Sequence, residues 1–564
     1  MNTHSFRKRI DAPPFVLGTL LLLCALTFYY FAVLKIDYRK TNLLNLGPYP
    51  DAVEYFAQAR SILKDGWPSI QIGYDKLPSR YPVGYPALML PWLTILPERD
   101  AVLAPFRTNQ TIGVLLLLAV FGFYAYLAMP LTGGFATLLL ATLPGFFTFC
   151  RSSMSEISAS ALVILAFMFT YLGLKEEHRW KIYLSALFLG LSVNIRIQSL
   201  FFAPLLLAMA LFPARGMRWR WFFHCAAVPV VFVLAASPVP VLNTMQFHSP
   251  FKTGYDFWTP YWSQYWSEKE PLFSLRYIPA NANGLWQEFA LYPPRGYRDS
   301  NIFGTGTYFV PAFIALVCMG FFFMRITRYT SAAFLAGLSF LLVILIHDNK
   351  IADLRYYLPL LTILIAVAVV PATWAARNLL AGKRIVAAFA IFALLGAACL
   401  GFPSRSGYNT VGTDRSQAWD ALYFTNPPQR SKQFIAQEHF AKLFGGQPGI
   451  VLSDVDPVYL NALLPGSFVA APIDGKHNYC WSKMWRYDRL EALALVRQGL
   501  DRSLPVYALF VSTKEMMAQQ SRLPIISGYQ WTILNNSDAK VVVLKLTPAA
   551  SQERRSLPGH YCRI

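Results

Sequence analysis

The feature that most constrains this chain of 564 residues is a series of long apolar runs separated by short polar segments. An apolar run of about 20 residues has the length needed to cross a bilayer as a helix. The composition agrees, because 14% of the residues are charged, against about 25% in a typical soluble domain. The chain is therefore predicted to be an α-helical multi-pass membrane protein, and a mostly soluble protein is excluded.

The first run, 12–34, follows the basic residues Arg7, Lys8 and Arg9. It is longer than the apolar core of a signal peptide, which has about 7–15 residues, so we expect a retained anchor. Further spans, which bring the total to about eleven, are predicted near 103–129, 131–149, 156–174, 180–198, 199–213, 221–244, 306–324, 331–347, 352–373 and 385–402. The segment 180–213 is short for two crossings, and in an alternative interpretation the segment 81–96 dips into the membrane.

The basic residues predict an orientation. With the N-terminus inside, the inner segments carry fourteen Lys and Arg residues and three acidic residues, which fits the excess of basic residues on the cytoplasmic side of membrane proteins. We therefore assign the net charge of +20 to membrane orientation and not to nucleic-acid binding. The loops 36–80 and 245–304 and everything after 402 are then expected outside, which in a bacterium is the periplasmic side.

Residues 403–564 are predicted to form a soluble α/β domain. Short β-rich segments alternate there with amphipathic segments, a pattern typical of α/β folds. The strands are predicted at GIVLSDVD, SFVAAPID, PVYALFVS, WTILNN and KVVVLKLT. The seven cysteines have no metal-binding spacing, and two of them, Cys480 and Cys562, lie in this domain and could pair in an oxidising compartment.

Ionisable residues gather at the predicted outer ends of the spans. Such charges are costly near a membrane and are usually functional, although each of them could also simply meet water. The outer ends carry Arg151, Glu156, Arg196, His347, Asp348, Lys350, Asp353 and Arg355, and the first outer loop adds Asp51, Glu54, Lys76 and Arg80. Arg196 and Arg355 are each followed by an apolar run, so each guanidinium is expected to reach a partner anion.

The residue types indicate what this set would bind. Arginine binds phosphate oxygens in a forked geometry and stays charged, which suits a lipid phosphate at a membrane surface. The loop 245–304 supplies aromatic rings, with Trp258, Trp262 and Trp266 at helical spacing. These rings could stack on a sugar, or they could form the aromatic belt of a membrane interface.

Asp51 opens a predicted helix, PDAVEYFAQARSILKDG, just after the first span. Together with Glu54, three residues later, it fits a capping box in which Asp51 is the N-cap. The same position suits a catalytic base, since a base must be held within reach of the proton that it removes. The two roles are compatible, and the residues alone leave both open.

Several segments follow one another in an order that resembles a known superfamily. They are PDAVEYFAQARSILKDG, LPSRYPVGYPALMLP, SMSEISASALVILAF, NIRIQSLFFAPLLL, FKTGYDFW and ADLRYYLPLLTILIA. Over residues 1–402 the chain thereby resembles the GT-C superfamily of polyprenyl-phosphate-sugar glycosyltransferases. It is most similar to the branch that contains the family 39 protein mannosyltransferases, the aminoarabinose transferase and the RgtA/B/C/D-like enzymes.

The resemblance implies roles for individual residues. Asp51 corresponds to the first-loop acid that acts as a base or orients the acceptor, and Arg80, Arg196 and Arg355 correspond to positions around the lipid phosphate. The chain departs from many relatives at Ala52, where they carry a second acid, so either Glu54 substitutes for that acid or metal-assisted chemistry is excluded. It also departs in having Val83 at the middle proline of a "PPG-YP" element.

We predict Asp51 and Glu54 as catalytic residues, with no metal ion and no cofactor. The predicted donor and lipid-phosphate site comprises Arg80, Tyr81, Arg151, Glu156, Arg196, Lys350, Arg355 and Tyr356, and the predicted sugar or acceptor contacts are Tyr255 and Trp258.

The expected function is glycosyl transfer in the bacterial inner membrane. A transmembrane GT-C-like domain, 1–402, would move a sugar from a polyprenyl-phosphate-linked donor to an envelope acceptor, which could be lipid A or lipopolysaccharide, a glycan or a protein. The alternatives are a transporter or flippase, and a polymerase or ligase, for lipid-linked glycans. Transporters place polar sites near the midplane of repeated halves, whereas this chain has its charges on one side and shows no internal repeat.

Overall fold

We describe the protein from a computed structural model. The structure describes residues 12–35, 50–210, 218–258, 271, 273–282, 310–324, 327–347, 354–380, 432–444, 447–464, 468–473, 489–535 and 541–549. The predicted span 385–402 and the two cysteines predicted to pair, Cys480 and Cys562, lie outside these residues.

The chain folds into two compact units. The first comprises residues 1–69 and 78–430, and the second comprises 70–77 and 431–564. The short segment 70–77, which the sequence analysis placed in the first outer loop of the membrane domain, therefore belongs to the second unit.

The described part of the first unit is helical. Its helices are α1 (Ala12–Tyr29, continued by a π-helical turn Tyr30–Leu34), α2 (Pro50–Asp65), α3 (Gly84–Ile95), α4 (Ala104–Tyr126), α5 (Pro130–Thr142), α6 (Pro144–Cys150), α7 (Glu156–Glu176), α8 (Arg179–Ile195), α9 (Pro204–Ala210), α10 (Arg218–Ala236), α11 (Pro238–Phe247), α12 (Gly254–Trp258), α13 (Val310–Phe323), α14 (Arg328–Ile346) and α15 (Leu358–Leu380). Short 3₁₀ helices at Glu98–Leu103, Ile197–Phe202, Leu275–Tyr277 and Leu354–Tyr357 connect or extend them.

Four helical stretches in the described residues are long and apolar enough to cross a membrane: Pro14–Leu34, Glu98–Tyr126, Glu156–Glu176 and Tyr329–Ile346. A fifth arises if α10 and α11, which meet at an angle of 48°, are one span. The chain is thus a multi-pass membrane protein, as predicted, while the total of about eleven spans stays a prediction. Prolines explain why some helices are shorter than the predicted spans. Pro144, for example, divides the predicted span 131–149 into two helices, α5 and α6.

Helices α7 and α8 form an antiparallel pair that determines where their end residues lie. The chain turns between them at Glu177, which adopts a left-handed conformation with φ 59°, and Lys181 pairs there with Glu176. The two helices have 21 and 17 residues, so at about 1.5 Å per residue they are about 32 and 26 Å long. Glu156, at the start of α7, and Arg196, just after α8, therefore meet at the opposite end of the pair.

The second unit is an α/β fold, as the sequence predicted. Its strands are β1 (Ile70–Ile72), β2 (Asp75–Leu77), β3 (Gly449–Ser453), β4 (Phe468–Pro472), β5 (Val506–Phe510), β6 (Tyr529–Asn535) and β7 (Val542–Pro548), and its helices are α16 (Lys432–Phe444), α17 (Pro457–Leu463), α18 (Arg489–Asp501) and α19 (Thr513–Gln519). β4, β3 and β5 pair in parallel, β7 and β6 complete the sheet in antiparallel fashion, and β1 and β2 form a separate hairpin. The central strands β3 and β5 are buried along their whole length, which is typical of parallel strands covered on both faces.

Asp454 is the residue after β3, and its environment leads us to expect that the stability of the protein depends on pH. Burial raises the pKa of its carboxyl to about 7, and the charge of the nearby Glu515 adds to the shift. Because this pKa lies above the unfolded value of about 3.9, stability should fall as the pH rises from about 4 to about 7. The Val511 N–H donates to the Asp454 carboxylate at 3.2 Å. Asp454→Asn removes the charge and retains an oxygen that can accept from this N–H.

We expect Asp454→Asn to be more stable than the wild type by about 2–4 kcal/mol above pH 7, and equal to it near pH 4. Thermal unfolding of the detergent-solubilised full chain at pH 4.5 and pH 8 measures the difference. A variant that gains no stability at pH 8 would show that Asp454 titrates normally.

Candidate functional site

Helix α2 carries both predicted catalytic acids. It begins at Pro50, so Asp51 lies within its first turn and not at the N-cap position that the sequence suggested. The Ala52 and Phe56 side chains are fully buried, and Val53 is nearly so. This part of the helix is therefore packed against protein, and its two acids are fixed in position.

Glu54 forms a buried ion pair with Arg80. The carboxylate is 0% exposed and the arginine side chain 8% exposed. Glu54 Oε1 accepts from Arg80 Nε at 2.7 Å and from Nη2 at 2.5 Å, while Oε2 accepts from the Arg80 backbone N–H at 2.9 Å and from the Ser79 hydroxyl at 2.6 Å. Both oxygens thus bind the segment 79–80, and the direction of the Arg80 guanidinium is fixed by Glu54.

Asp51 lies beside this pair, within a cluster of tyrosines. The Tyr81 hydroxyl donates to Asp51 Oδ1, and the Arg80 guanidinium carbon lies 5.4 Å from the centre of the Tyr81 ring. The Tyr55 ring packs between Tyr81 and Tyr85, with ring centres 5.0 and 5.1 Å away. Burial, reinforced by the charge of Asp51, raises the pKa of both Tyr55 and Tyr81. Both hydroxyls therefore stay protonated and available as donors.

A second pair of charges is joined to the first through Tyr55. The Tyr55 hydroxyl is 3.1 Å from the hydroxyl of Ser155, the residue just before α7. Next in the chain, Glu156 is fully buried and accepts a hydrogen bond from Arg196. The Arg196 guanidinium in turn lies over the ring of Tyr356, 5.5 Å from its centre. The structure thus connects α2 and residues 80–81 to the start of α7, to the residue after α8 and to the 3₁₀ helix before α15.

The segment 253–258 packs against the backbone of residues 78–80. The Trp258 indole N–H donates to the Pro78 carbonyl at 2.7 Å, and the ring is buried. The Tyr255 side chain is about half exposed, and its ring centre lies 5.7 Å from that of Tyr81. Of the two predicted sugar contacts, Tyr255 thus reaches the surface of the site, whereas Trp258 supports the segment that carries Arg80.

Gly254 makes this packing possible, which gives a testable prediction. An alanine Cβ there would lie 1.9 Å from the Ser79 carbonyl oxygen and 2.5 Å from the Arg80 Cα. Backbone atoms cannot rotate away, so we expect Gly254→Ala to destabilise the protein by about 1–3 kcal/mol. Gly122→Ala in α4 is the matched control, because a Cβ there meets no atom within 4 Å.

The control is expected to be neutral or stabilising by up to about 1 kcal/mol, as for alanine in place of glycine within a helix. Thermal unfolding of the two variants in detergent measures both effects. Equal stability of the two variants would show that α12 does not press on residues 79–80.

Two cavities lined by described residues of the first unit bear on the site. A cleft of about 570 Å³, open mouth included, runs beside Arg80, Tyr81 and Tyr255, with Asn243 and Gln246 of α11 on its wall. A larger cavity of about 1830 Å³, also counted with its mouth, lies among α4, α5, α7, α13, α14 and α15, and its walls are almost wholly apolar. The first places polar groups beside the charged cluster, and the second has the chemistry of a hydrocarbon site.

The remaining predicted site residues are Arg151, Lys350 and Arg355. Arg151 is buried in the turn before α7. Lys350 lies outside the described residues, and for Arg355 the structure describes the backbone, within the 3₁₀ helix Leu354–Tyr357, but not the side chain. Within the described ranges, no group of three or more His, Cys, Asp and Glu residues is arranged to hold a metal ion.

Sequence reasoning missed Asn109, a polar residue within the apolar helix α4. Its side-chain N–H groups donate to the carbonyls of Ser152 and Met154 at 2.8 and 2.6 Å, and its carbonyl accepts from the Ser158 hydroxyl at 3.2 Å. Asn109 thus holds the turn that contains Arg151 and leads to Glu156. An amide inside a predicted span was the available signal, because such a group needs a partner.

Comparisons with known proteins show a likeness in structure. No protein-family model matches the chain, and no curated protein matches it in sequence. The crystal structure of ArnT from Cupriavidus metallidurans bound to undecaprenyl phosphate aligns with a TM-score of 0.55 and 12% identity, covering 93% of this chain and 97% of that one. The apo structure of the same protein aligns with a TM-score of 0.54 and 13% identity, over 93% and 97% of the two chains.

Proposed function

Because the chain has the GT-C fold that its sequence motifs predicted, we propose that it is a glycosyltransferase. In this proposal a sugar passes from a polyprenyl-phosphate-linked donor to an envelope acceptor at the periplasmic face of the bacterial inner membrane. The observation that carries the proposal is the joining of one carboxylate, Asp51, to two arginines, Arg80 and Arg196, through Tyr81 and Tyr55. Such an arrangement suits a base beside a binding site for a leaving phosphate.

The proposed reaction is a single displacement. The acceptor hydroxyl oxygen forms a bond to the anomeric carbon while the bond from that carbon to the phosphate oxygen of the donor breaks. The hydroxyl proton passes to Asp51, whose Oδ1 is held by Tyr81. The polyprenyl phosphate leaves with the bonding electrons, and preplaced guanidinium groups stabilise the charge that develops on it. One displacement inverts the anomeric configuration.

Glu54 and Trp258 receive positioning roles in this proposal. Both Glu54 oxygens bind the segment 79–80, so we assign Glu54 to orienting Arg80 and leave the role of base to Asp51. Trp258 is buried against the Pro78 carbonyl and supports the same segment. Tyr255, half exposed beside Tyr81, is the better placed of the two predicted sugar contacts.

The donor is proposed to be lipid-linked for three reasons. Arginine and tyrosine side chains meet at one end of the α7–α8 pair, where Glu156 and Arg196 pair. The apolar cavity among the helices provides space for hydrocarbon, since only apolar groups are accommodated by such walls without cost. ArnT, which has the same fold, was crystallised with undecaprenyl phosphate.

A direct assay tests the proposal. The purified full chain in lipid nanodiscs is supplied with polyprenyl-phosphate-linked sugars and candidate acceptors, and the products are identified by mass spectrometry. Comparison of envelope glycolipids from a deletion strain and its parent identifies the acceptor. We expect a glycosylated acceptor and free polyprenyl phosphate in equal amounts. A donor that crosses the bilayer of proteoliposomes unchanged would instead establish a flippase.

A further inference from the structure

The cleft beside Arg80 is lined along one wall by a single face of α11. The residues of α11 that line it are Val239, Leu242, Asn243, Gln246 and Phe247. They recur at intervals of three and four positions and therefore share one side of the helix. Arg80, Tyr81 and Tyr255 contribute to the other walls, and all these residues belong to the first unit. The volume of about 570 Å³, open mouth included, falls in the usual range for small-molecule sites.

Two neutral amides on α11 are fixed so that their oxygens remain available. The Asn243 Nδ2 donates to the Pro250 carbonyl at 3.3 Å, and the Gln246 Nε2 donates to the Pro68 carbonyl at 3.2 Å. A carbonyl only accepts hydrogen bonds, so the nitrogen of each amide must be the atom that faces it. Within the part of the chain that the structure describes, no group donates to either side-chain oxygen. Each amide thus offers an acceptor to a ligand in the cleft.

Gln58 on α2 repeats this arrangement on another wall of the cleft. Its side chain is 2% exposed. Its Nε2 donates to the Ser79 hydroxyl oxygen at 2.7 Å, and that hydroxyl gives its own proton to Glu54. The orientation of the amide is therefore fixed, and among the described residues no donor reaches the Gln58 oxygen. A ligand hydroxyl would supply the donor that this largely buried group lacks.

The charges around the cleft favour an uncharged ligand. Arg80 is the only charged residue among the described residues that line it, and Glu54 balances that charge. Asp256 is not among the lining residues, and its carboxylate accepts from the N–H and the hydroxyl of Thr253. A cationic group in the cleft would meet Arg80 and no lining carboxylate, whereas an anionic group would meet amide oxygens. Each combination adds to the cost of removing a charge from water.

We propose that this cleft is the subsite for the sugar of the donor, and that the sugar is neutral, with hydroxyl groups that donate to Gln58, Asn243 and Gln246. The proposal rests on the function proposed above and names the class of sugar. Arg80 lines the cleft, so the phosphate that it is proposed to bind lies next to the sugar that this phosphate carries. The half-exposed Tyr255 ring provides a flat surface for the apolar face of a sugar ring.

Binding measurements on the full chain in lipid nanodiscs test the class of sugar. The probes are polyprenyl phosphate alone, its glucose-, galactose-, mannose- and arabinose-linked forms, and the form linked to 4-amino-4-deoxyarabinose. We expect at least one neutral donor to bind about tenfold more tightly than polyprenyl phosphate, and the amino sugar to add no affinity. The proposal is overturned if no neutral sugar adds affinity, or if the amino form binds more tightly than the arabinose form.

Substitutions on α11 test the residues. Asn243→Ala and Gln246→Ala should each weaken binding of the preferred neutral donor by about 3–10-fold, the effect of one lost hydrogen bond, and leave the Kd for polyprenyl phosphate unchanged. The matched control is Met245→Ala, because Met245 lies between them on the same helix, is 59% exposed and is not among the lining residues. It should change neither Kd. Equal weakening of both ligands by the α11 amide variants would contradict a role in binding the sugar.

A reversal of preference is the stricter test and does not depend on the loss of a side chain. Asn243→Asp keeps the size of the residue and places a carboxylate in the cleft, so the form linked to 4-amino-4-deoxyarabinose should bind about tenfold more tightly than it does to the wild type. An unchanged preference would refute the assignment of the cleft to the sugar. Failure of the wild type to transfer any sugar would refute the proposed function instead, while the Kd values would still decide what the cleft binds.

Discussion

Asp51→Asn is expected to lower kcat for glycosyl transfer by about 10²–10⁴-fold, the usual contribution of a general base. Asparagine has nearly the same shape and retains an oxygen for the Tyr81 hydroxyl, which donates to Asp51 in the wild type. It cannot take a proton from the acceptor. Donor affinity, measured as the Kd for polyprenyl phosphate, should therefore stay at the wild-type value while turnover is lost.

The matched control is Asp65→Asn, which changes an exposed carboxylate at the end of the same helix. We expect wild-type turnover from it, because Asp65 lies at the far end of α2 from Asp51. Single-turnover kinetics on both variants separate the chemical step from product release. Substantial turnover in Asp51→Asn would leave this carboxylate with a structural role alone and would require another base.

Glu54→Gln is expected to destabilise the protein by about 3–5 kcal/mol, the usual effect of removing one member of a buried ion pair. The change keeps the size of the side chain but leaves the Arg80 guanidinium buried beside a neutral amide. In the wild type this carboxylate is 0% exposed and accepts from three groups of residues 79–80. Thermal unfolding of the solubilised full chain measures the loss, and turnover should fall because Arg80 loses its orientation.

Glu98→Gln is the matched control for charge removal. Glu98 pairs with Arg60, but its side chain is 67% exposed, so the change should cost no more than about 1 kcal/mol. A further variant, Glu54→Leu with Arg80→Met, should be more stable than Glu54→Gln, because it buries no charge. If Glu54→Gln and Glu98→Gln unfold at the same temperature, Glu54 does not anchor Arg80.

The fold was largely predictable from the sequence because the signals for it are local. Membrane spans are recognised by the length of their apolar runs. The five predicted strands of the C-terminal part correspond to β3–β7. The hairpin 70–77 could not be predicted from the sequence. Its two strands have three residues each, and the partner that holds it, Asn461, is 390 positions from Gln71, so no local pattern carries the information.

The charged residues of the candidate site could be predicted from the sequence, but the contacts between the residues of the site could not. Resemblance indicated Asp51, Arg80 and Arg196, and the structure brings them together. The pairing of Glu54 with Arg80 was missed, because a contact between residues 26 positions apart depends on how α2 meets the loop that follows it. Tyr55, which joins the two charged pairs, looked like an ordinary aromatic residue on an amphipathic helix.

The close packing of α12 against residues 78–80 has a consequence for the evolution of such a protein. The proposed base and the arginine that would bind the phosphate lie on one stretch of the chain, 51–81, whereas Tyr255, the exposed ring, lies on another. Selection can therefore alter the exposed positions around Tyr255 to accommodate a different sugar, provided that Gly254 and Trp258, which pack against residues 78–80, are kept. A library of variants at positions 251, 252, 255 and 257, screened on a panel of donors, should yield changed preferences at little loss of stability.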